Sequence, residues 1–272
     1  MKALPSTVEW KPAPRIAISG GTSGLGLALV REFRRRGANV AFVARDRARV
    51  ERVAQDTGAA GIVGNIARKE DIHPLAIQIA GRLGGLDVLV NNASSLGPVP
   101  LKLLADTECE DLELALETNL LGPFRLTKAL LGSLAAAARE GRTAVVVNIS
   151  SDAARNPYPT WGAYGASKAA LEHMTRIWDE ELAAEGVRFV AVDPGDMDTP
   201  LHALAVPDAD PATLKRPELS AREIADLVES RQRSRACEAD TSAIAAGEPG
   251  SQWAAVSRPP LRRSTKSQRP LD

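Results

Sequence analysis

Tyr164 and Lys168 are the two side chains in this sequence best suited to proton transfer. They are four residues apart in a segment with helical character, so they should face the same way and meet. A free tyrosine has a pKa of about 10. An ammonium about 4 Å away would favour the phenolate by roughly 4 kcal/mol at an effective dielectric constant near 20, or about three pKa units before desolvation is subtracted. Such a tyrosine could protonate an alkoxide or deprotonate an alcohol.

Each of these residues also has an ordinary structural interpretation. Tyr164 alone could be a packed helical aromatic, and Lys168 alone could be a solvated charge. Ser151, a further hydroxyl considered below, could be the N-cap of a helix. The joint arrangement favours catalysis over these separate readings.

A glycine-rich turn, Ser19-Gly20-Gly21-Thr22-Ser23-Gly24-Leu25-Gly26, connects a predicted first strand to a predicted helix. Glycines let the backbone turn tightly and approach a pyrophosphate, and the start of the helix presents unpaired N–H groups to that anion. The spacing is Gly20-xxx-Gly24-x-Gly26 rather than the commoner G-x-G-x-x-G. The turn alone could be a connection without a ligand, but its place between strand and helix favours a nucleotide site.

Short, nearly continuous apolar runs alternate with longer helical patterns from Arg15 onward. The predicted strands are Arg15–Ser19, Asn39–Ala44, Gly61–Gly64, Leu86–Asn91, Ala144–Ile149 and Arg188–Asp193. The predicted helices are Leu25–Arg36, Arg47–Gln55, Ile72–Leu83, Cys109–Ala138 and Gly165–Ala184. Parallel strands need crossover helices, so the alternation predicts one α/β domain with a doubly wound, Rossmann-like parallel sheet over residues 15–230, after an extension over residues 1–14. Such sheets bind ligands beyond the carboxyl ends of their strands.

The composition argues against several classes of protein. Lys+Arg and Asp+Glu balance at 34 each, which gives no indication of a nucleic-acid or membrane partner. Cys109 and Cys237 lack metal-ligand spacing and fit a reducing compartment. The start has no apolar run of a signal peptide, and no stretch approaches the roughly 20 apolar residues that span a bilayer, so a cytoplasmic protein is expected. His73, His173 and His202 share no ligand spacing, so no metal is expected, although His202 could touch a substrate.

Six motifs resemble, in order, those of the short-chain dehydrogenase/reductase family. They are the glycine turn, Asn91-Asn92-Ala93, Asn119 in Thr118-Asn119-Leu120, Ser150-Ser151, Tyr164-Gly165-Ala166-Ser167-Lys168, and Pro194-Gly195 with Thr199. Each motif is weak alone. Six in register, each at a strand end or on the expected helix, are very hard to explain otherwise, and the resemblance covers residues 15–230.

The resemblance implies an enzyme that moves a hydride between a nicotinamide cofactor and a carbonyl or alcohol carbon. It implies that Tyr164 is the proton donor or acceptor, that Ser151 polarises the substrate oxygen, and that Lys168 also holds the nicotinamide ribose. Asn119 would belong to a water-linked proton relay that ends at Lys168. Ser150 is the rival hydroxyl, but the family's spacing of thirteen residues before the tyrosine favours Ser151.

The choice of cofactor depends on the end of the second strand. NAD-specific sites place an Asp or Glu there, which binds the ribose hydroxyls and repels a 2′-phosphate. Ala44 occupies that position and Arg45 follows it, and an arginine can pair with a 2′-phosphate. Asp46 is predicted to be the N-cap of the next helix, and Arg47 and Arg49 add positive charge. The sequence therefore favours NADP(H) and the reduction of a carbonyl. The expected cofactor-binding residues are Gly20, Thr22, Ser23, Gly24, Leu25, Gly26, Arg45, Asn65, Ile66, Asn92, Ala93, Tyr164, Lys168, Pro194, Gly195 and Thr199.

The sequence departs from the family's pattern in three places. Ser94 replaces the glycine of N-N-A-G, a change expected to be tolerated beside the cofactor. Asn65 stands where an Asp usually lies near the adenine, and Asn can still accept a hydrogen bond. After a helix predicted over Ala221–Ser230, the chain lacks a clear final strand. Residues 231–272 carry eight Arg or Lys against four acids, which predicts a basic, mostly irregular tail with at most a short edge strand at Trp253–Val256.

The remaining expectations concern partners and alternatives. Cys109–Ala138 and Gly165–Ala184 resemble the helices through which relatives assemble, so a homodimer or homotetramer acting on a small carbonyl or alcohol is expected. Asp196–Pro217 lies where the family builds a substrate lid, although it could be a solvated loop. A sugar-nucleotide epimerase or dehydratase would usually have a larger C-terminal domain than the 77 residues after Gly195. A non-catalytic dinucleotide-binding sensor would have no need of all four predicted catalytic residues.

Overall fold

The protein forms a six-stranded parallel sheet, as the computed structural model shows for residues 12–245, with side-chain surroundings described through Arg231. The strands are β1 (Arg15–Ser19), β2 (Asn39–Ala44), β3 (Ala60–Val63), β4 (Val88–Asn91), β5 (Val145–Ile149) and β6 (Arg188–Val192). Their order in the sheet is β3-β2-β1-β4-β5-β6, and every pairing is parallel. The order reverses between β1 and β4, so the sheet is doubly wound and its ligand crevice lies beyond the carboxyl ends of these two strands. The predicted fold class is confirmed.

Eight α-helices flank the strands in the described part of the chain. They are α1 (Gly24–Arg35), α2 (Arg47–Thr57), α3 (Lys69–Leu83), α4 (Cys109–Leu116), α5 (Gly122–Arg139), α6 (Gly162–Leu182), α7 (Pro200–Ala205) and α8 (Pro217–Ala245). The single helix predicted over Cys109–Ala138 is interrupted by a π turn at Glu117–Leu121, which joins α4 to α5.

Alternate side chains of the strands pack into two apolar layers, one on each face of the sheet. Ile16 and Ile18 of β1 contribute to the layer that also includes buried side chains of α1 and α8. Ala17, between them, faces the layer that includes buried side chains of α3 and α5. Because both faces of the sheet are covered, the strands read as continuous apolar runs in the sequence.

Helix α8 corrects the prediction for the C-terminal region. It contains the predicted helix Ala221–Ser230, and its buried residues Ile224 and Val228 belong to the same core layer as α1. The helix continues to Ala245, so the irregular structure expected from Arg231 is wrong over residues 231–245. That stretch is rich in Ala and Arg and contains neither Gly nor Pro, a composition that favours helix. The possible strand at Trp253–Val256 and most of the N-terminal extension lie outside the described residues.

Candidate active site

The glycine turn between β1 and α1 has a backbone that only glycine fits well. Gly20 has a φ of +75° and Gly24 a φ of +48°, both in the left-handed region. A Cβ at Gly26 would overlap the carbonyl oxygen of Gly20 and lie 2.5 Å from Nδ2 of Asn92. The first turn of α1 therefore packs directly against the end of β1, with no room for a side chain.

The end of β4 holds this turn in place. Nδ2 of Asn92 donates hydrogen bonds to the carbonyl oxygens of Ser19 (3.0 Å) and Gly20 (3.2 Å). The hydroxyl of Ser19 accepts the backbone N–H groups of Asn92 (3.0 Å) and Ala93 (3.1 Å). Asn92 and Ala93, predicted to bind cofactor, thus fix the conformation of the glycine turn through these hydrogen bonds. Sequence reasoning missed Ser19, although a polar residue that ends an otherwise apolar strand was a usable signal.

The start of α1 fits a dinucleotide pyrophosphate. Its N-cap, Ser23, makes no side-chain capping bond, and the first turn carries no acidic residue. The N–H groups of Thr22, Ser23 and Leu25 therefore meet no competing carboxylate there, and the positive end of the helix dipole favours an anion. Thr199 lies against Gly24, since an added Cβ at Gly24 would be 3.1 Å from its Cγ2. This contact brings the segment between β6 and α7 beside the glycine turn.

The adenosine side of the site begins at the end of β2. Arg45 is exposed and makes no ion pair with any residue in the range 12–231. Asp46 accepts the backbone N–H of Arg49 at 3.0 Å, which confirms it as the N-cap of α2. Asn65, after β3, is half-buried, and its Oδ1 accepts the N–H of Ala67 at 3.1 Å. The Asn65 oxygen expected near the adenine is thus already used in a local turn. Ile66 beside it is buried.

Beyond β6, Pro194 and Gly195 begin the segment that crosses the site. Gly195 has a φ of +78°, and its N–H is bonded to Oδ1 of Asp193 at 3.0 Å. The carbonyl oxygen of buried Pro194 accepts the hydroxyl of Ser220, on α8, at 2.8 Å. Helix α8 therefore fixes the position of this segment.

Tyr164 lies on the first turn of α6 and is 7% exposed. Its hydroxyl has the hydroxyls of Ser151 and Ser94 as hydrogen-bond partners, and the Trp161 ring packs edge-on at 5.8 Å between centroids. Burial raises the pKa of Tyr164 to about 12, against the opposing effect of the two serine hydrogen bonds. At neutral pH this tyrosine is therefore a protonated acid in the cofactor-free protein.

Lys168 lies one turn further along α6 and is almost completely buried. Its ammonium donates a 2.7 Å hydrogen bond to the carbonyl oxygen of Ile149 and lies 5.5 Å from the centre of the Tyr164 ring. Burial lowers the pKa of Lys168 to about 8. The two residues do meet. The expectation that Lys168 lowers the pKa of Tyr164 is nevertheless wrong for this cofactor-free structure, because burial is the largest cause and raises that pKa, and Lys168 is not among the groups that shift it.

Two consecutive serines end β5 and have different surroundings. Ser151 donates to Oδ1 of Asp152 at 3.1 Å, accepts the N–H of Ala153 at 3.2 Å, and contacts the Tyr164 hydroxyl. Ser150 donates to buried Glu172 on α6 at 2.8 Å. The structure thus brings Ser151, rather than Ser150, to the tyrosine.

Asn119 is fully buried in the π turn, and its side-chain amide is fully engaged. Its Oδ1 accepts the N–H of Ser95 (2.8 Å) and the hydroxyl of Ser94 (3.1 Å). Its Nδ2 donates to the carbonyl oxygen of Ser95 (2.7 Å) and to the hydroxyl of Ser167 (2.8 Å). The side chain therefore braces the end of β4 against α6 and makes no bond to Lys168. Ser94 links it to Tyr164, a contact that sequence reasoning missed.

None of the three histidines forms a hydrogen bond to these hydroxyls within residues 12–231. His73 and His173 are exposed on helices. His202 is half-buried on α7, and its Nδ1 has no partner among the residues the structure describes. Within residues 12–245 no three His, Cys, Asp or Glu side chains are grouped to hold a metal ion, and every helix there is too short or too polar to span a bilayer.

Comparison with known proteins places these features in one family. A sequence profile of the family described as short chain dehydrogenase matches residues 14–210. An L-fucose dehydrogenase from Mus musculus is 33% identical over 198 residues, which are 72% of this chain and 70% of that protein. A 3-ketoacyl-(acyl-carrier-protein) reductase from Brucella melitensis, solved with NADH, superposes with a TM-score of 0.74 at 29% identity, over 79% of this chain and 91% of that one.

An actinorhodin polyketide ketoreductase solved with NADPH gives a TM-score of 0.71 at 26% identity, over 81% of this chain and 92% of that one. These similar structures thus contain both forms of the nicotinamide cofactor. The glycine turn, the uncapped start of α1 and the buried ammonium of Lys168 all fit such a cofactor. The protein belongs to the short chain dehydrogenase family and is an NAD(P)-dependent oxidoreductase.

Proposed function

We propose that the protein reduces a ketone to an alcohol with NADPH, and that Tyr164 is the acid. The observation that carries this proposal is the buried Tyr164 hydroxyl, bonded to Ser151 and placed one helical turn from the Lys168 ammonium. The cluster lies at the carboxyl edge of the sheet, on the same side as the glycine turn. A bound nicotinamide would supply the hydride, and the protein would supply the proton.

Tyr164 and Ser151 would bind the carbonyl oxygen of the substrate. Since burial keeps Tyr164 protonated, it can donate its proton as negative charge develops on that oxygen. For Ser151 to donate as well, its hydroxyl must turn away from Asp152, which accepts it in this structure. The serine then stabilises the same oxygen from a second direction.

Lys168 would hold the nicotinamide ribose and assist the return of a proton to Tyr164. One of its three N–H donors is used by Ile149, and no other acceptor for it exists among residues 12–231. The remaining donors suit ribose hydroxyls. With a pKa of about 8, the ammonium also exchanges protons near neutral pH. The Asn119 side chain would act by positioning, since its own hydrogen bonds are all used within the protein.

The preference for NADPH is supported by the surroundings of Arg45. The guanidinium is exposed, has no ion-pair partner within residues 12–231, and follows a strand that ends in Ala44 rather than in an acid. A bidentate pair with a 2′-phosphate would therefore displace no existing contact.

The tyrosine assignment is tested by Tyr164→Phe, which removes the proton but little else. We expect it to abolish NADPH oxidation with any ketone and to leave the NADPH dissociation constant, measured by calorimetric titration, within about threefold. The matched control is Tyr158→Phe, at the chain's other tyrosine, which is 45% exposed and whose hydroxyl donates to Asp152 at 2.7 Å and would not reach the reacting oxygen. The control should keep most of the wild-type rate. Substantial turnover by Tyr164→Phe would show that the acid is another group, and wild-type protein that bound NADPH but reduced no ketone would favour a dinucleotide-binding sensor.

We also propose that the protein is a cytoplasmic homodimer or homotetramer assembled through α4, α5 and α6. Support comes from apolar side chains on these helices that remain exposed in one chain, Leu114 at 46% and Ile177 at 45%. Burying them against a second copy would remove them from water.

A further inference from the structure

Apolar side chains form a wall that packs against Tyr164. They come from the connection between β4 and α4, from the segment before α6, and from α7. The members of this apolar wall are Leu96, Leu101, Ala153, Trp161, Leu201 and Ala205. Trp161 is the largest of these side chains, and the residue before it, Thr160, has a φ of +73°, which a β-branched residue rarely adopts. The wall thus packs against one of the two residues proposed to bind the substrate oxygen.

The connection between β4 and α4 and the segment of α7 also carry exposed apolar side chains, which we call the apolar rim. The rim consists of Val99, Leu103, Leu104, Leu204 and Val206, each between 37% and 64% exposed. Leu104 lies directly on Gly162, two residues before Tyr164, because an added Cβ at Gly162 would overlap it. Through Leu104 the rim therefore meets the start of α6, which is next in sequence to Trp161 of the wall, and exposed apolar side chains grouped in this way are typical of a binding site.

The charged groups that act on the Tyr164 hydroxyl are negative, apart from the ammonium beneath its ring. Asp193 and Asp152 both raise the pKa of Tyr164 through their charge. Asp152 stays ionised, since hydrogen bonds from Tyr158 and then Ser151, against the effect of burial, hold its pKa below the usual range. The nearby cations already have carboxylate partners: Arg155 pairs with Glu172 at 3.1 Å, and Lys102 pairs with Asp111 at 3.9 Å. An anionic substrate would thus meet two carboxylates and no unpaired cation among these residues.

We propose that the substrate is an uncharged ketone with an aromatic or branched apolar group, which packs on Trp161, Leu101 and Leu201. This inference rests on the proposed function and gives its substrate class. The carbonyl carbon takes a hydride from NADPH and the oxygen takes the proton of Tyr164; one H+ taken up from solvent then restores Tyr164, so that one ketone, one NADPH and one H+ are consumed. The products are a neutral secondary alcohol and NADP+. Polyhydroxylated sugars and substrates that carry a carboxylate or phosphate are disfavoured.

The proposal is tested with three methyl ketones. Acetophenone is apolar, 4-acetylbenzoate adds one carboxylate, and hydroxyacetone has a hydroxymethyl group in place of the ring. We expect the kcat/KM for acetophenone to exceed that for each of the other two by at least about tenfold, which corresponds to about 1.4 kcal/mol. Higher kcat/KM for 4-acetylbenzoate or hydroxyacetone would overturn the substrate class while leaving the reductase activity established.

Two variants test whether the preference for acetophenone depends on the apolar wall and on the charge of Asp152. Trp161→Ala should lower kcat/KM for acetophenone by about tenfold or more, with hydroxyacetone changed by less than about threefold. Asp152→Asn should narrow the gap between acetophenone and 4-acetylbenzoate by severalfold. Asp56→Asn, an exposed acid on α2, is the matched charge control and should leave that gap unchanged. If Trp161→Ala lowered kcat/KM equally for all three ketones, Trp161 would have a structural role and no role in substrate choice.

Measuring the binding of the ketones tests the proposed substrate class independently of the proposed reductase activity. Calorimetric titration of the NADPH-bound Tyr164→Phe protein should give tighter binding of acetophenone than of 4-acetylbenzoate. Equal dissociation constants would overturn the inference even if the wild-type protein turned over both ketones. The same order of affinities without turnover by the wild type would uphold the apolar site and reject the reductase mechanism.

Discussion

Replacing Lys168 by methionine should change how the stability of the cofactor-free protein depends on pH. The ammonium is buried, and its pKa is lowered from 10.5 to about 8 by desolvation. Between these two values the unfolded chain binds more protons than the folded protein does, so the lysine makes stability rise with pH. Below about pH 8 the lysine is protonated in both states, and the folded state then carries the full cost of burying the ammonium, about 3 kcal/mol.

The measurement is the free energy of unfolding in urea for the wild type and for Lys168→Met, at a fixed protein concentration and at several pH values. Their difference cancels the other titrating groups. From about pH 7 to about pH 9.5 the wild type should gain about 2 kcal/mol relative to the variant. Lys69→Met, which replaces an exposed lysine at the start of α3, is the control and should show no such trend.

The result that would refute this reasoning is a difference between wild type and Lys168→Met that stays flat across the range. It would mean that the ammonium remains solvated in the folded protein. A fall with increasing pH would mean that the charge is stabilised by a partner. Either outcome would also remove the basis for proton exchange by Lys168 near neutrality.

Three further outcomes are expected. Ser94→Gly removes a hydrogen bond to the Tyr164 hydroxyl worth about 1 kcal/mol. It should therefore lower kcat about fivefold with little change in KM, and it should raise the pKa of Tyr164 in the pH profile of kcat. An unchanged pH profile would show that Ser94 does not act on Tyr164. Arg45→Ala should weaken NADPH binding roughly ten- to a hundredfold without affecting NADH, with Arg52→Ala on α2 as control; equal wild-type affinities for the two cofactors would contradict the proposed preference. Light scattering at micromolar concentration should give a multiple of the chain mass, and a monomeric mass would reject the proposed assembly.

The parts of the fold that depend on local pattern could be predicted from the sequence. The bounds of β1 and β2 are those predicted, because an apolar run flanked by polar residues and glycine marks both ends of a buried strand. The glycine turn was also predictable, since its unusual backbone and close packing restrict the residue types at three positions. The capping role of Asp46 followed from its place before a helical pattern.

The parts that depend on three-dimensional packing could not be predicted. Ser94 and Tyr164 are far apart in sequence and meet only because the end of β4 lies beside the start of α6. The high pKa of Tyr164 follows from its burial by Leu96, Trp161 and their neighbours, which the spacing to Lys168 does not reveal. The length of α8 beyond Ser230 was missed because its composition lacks an apolar period, although its helix propensity is high.

The π turn at Glu117–Leu121 makes the number of residues between α4 and α5 a property of the site. Removing one residue there would allow a regular α-helix from Cys109 to Arg139, and would turn α4 by about 100° relative to α5. Asn119 could then no longer reach both Ser95 and Ser167, whatever its side chain. The segment is therefore constrained against insertion and deletion as well as against substitution. Relatives that keep this asparagine bridge should differ here in residue type but not in length.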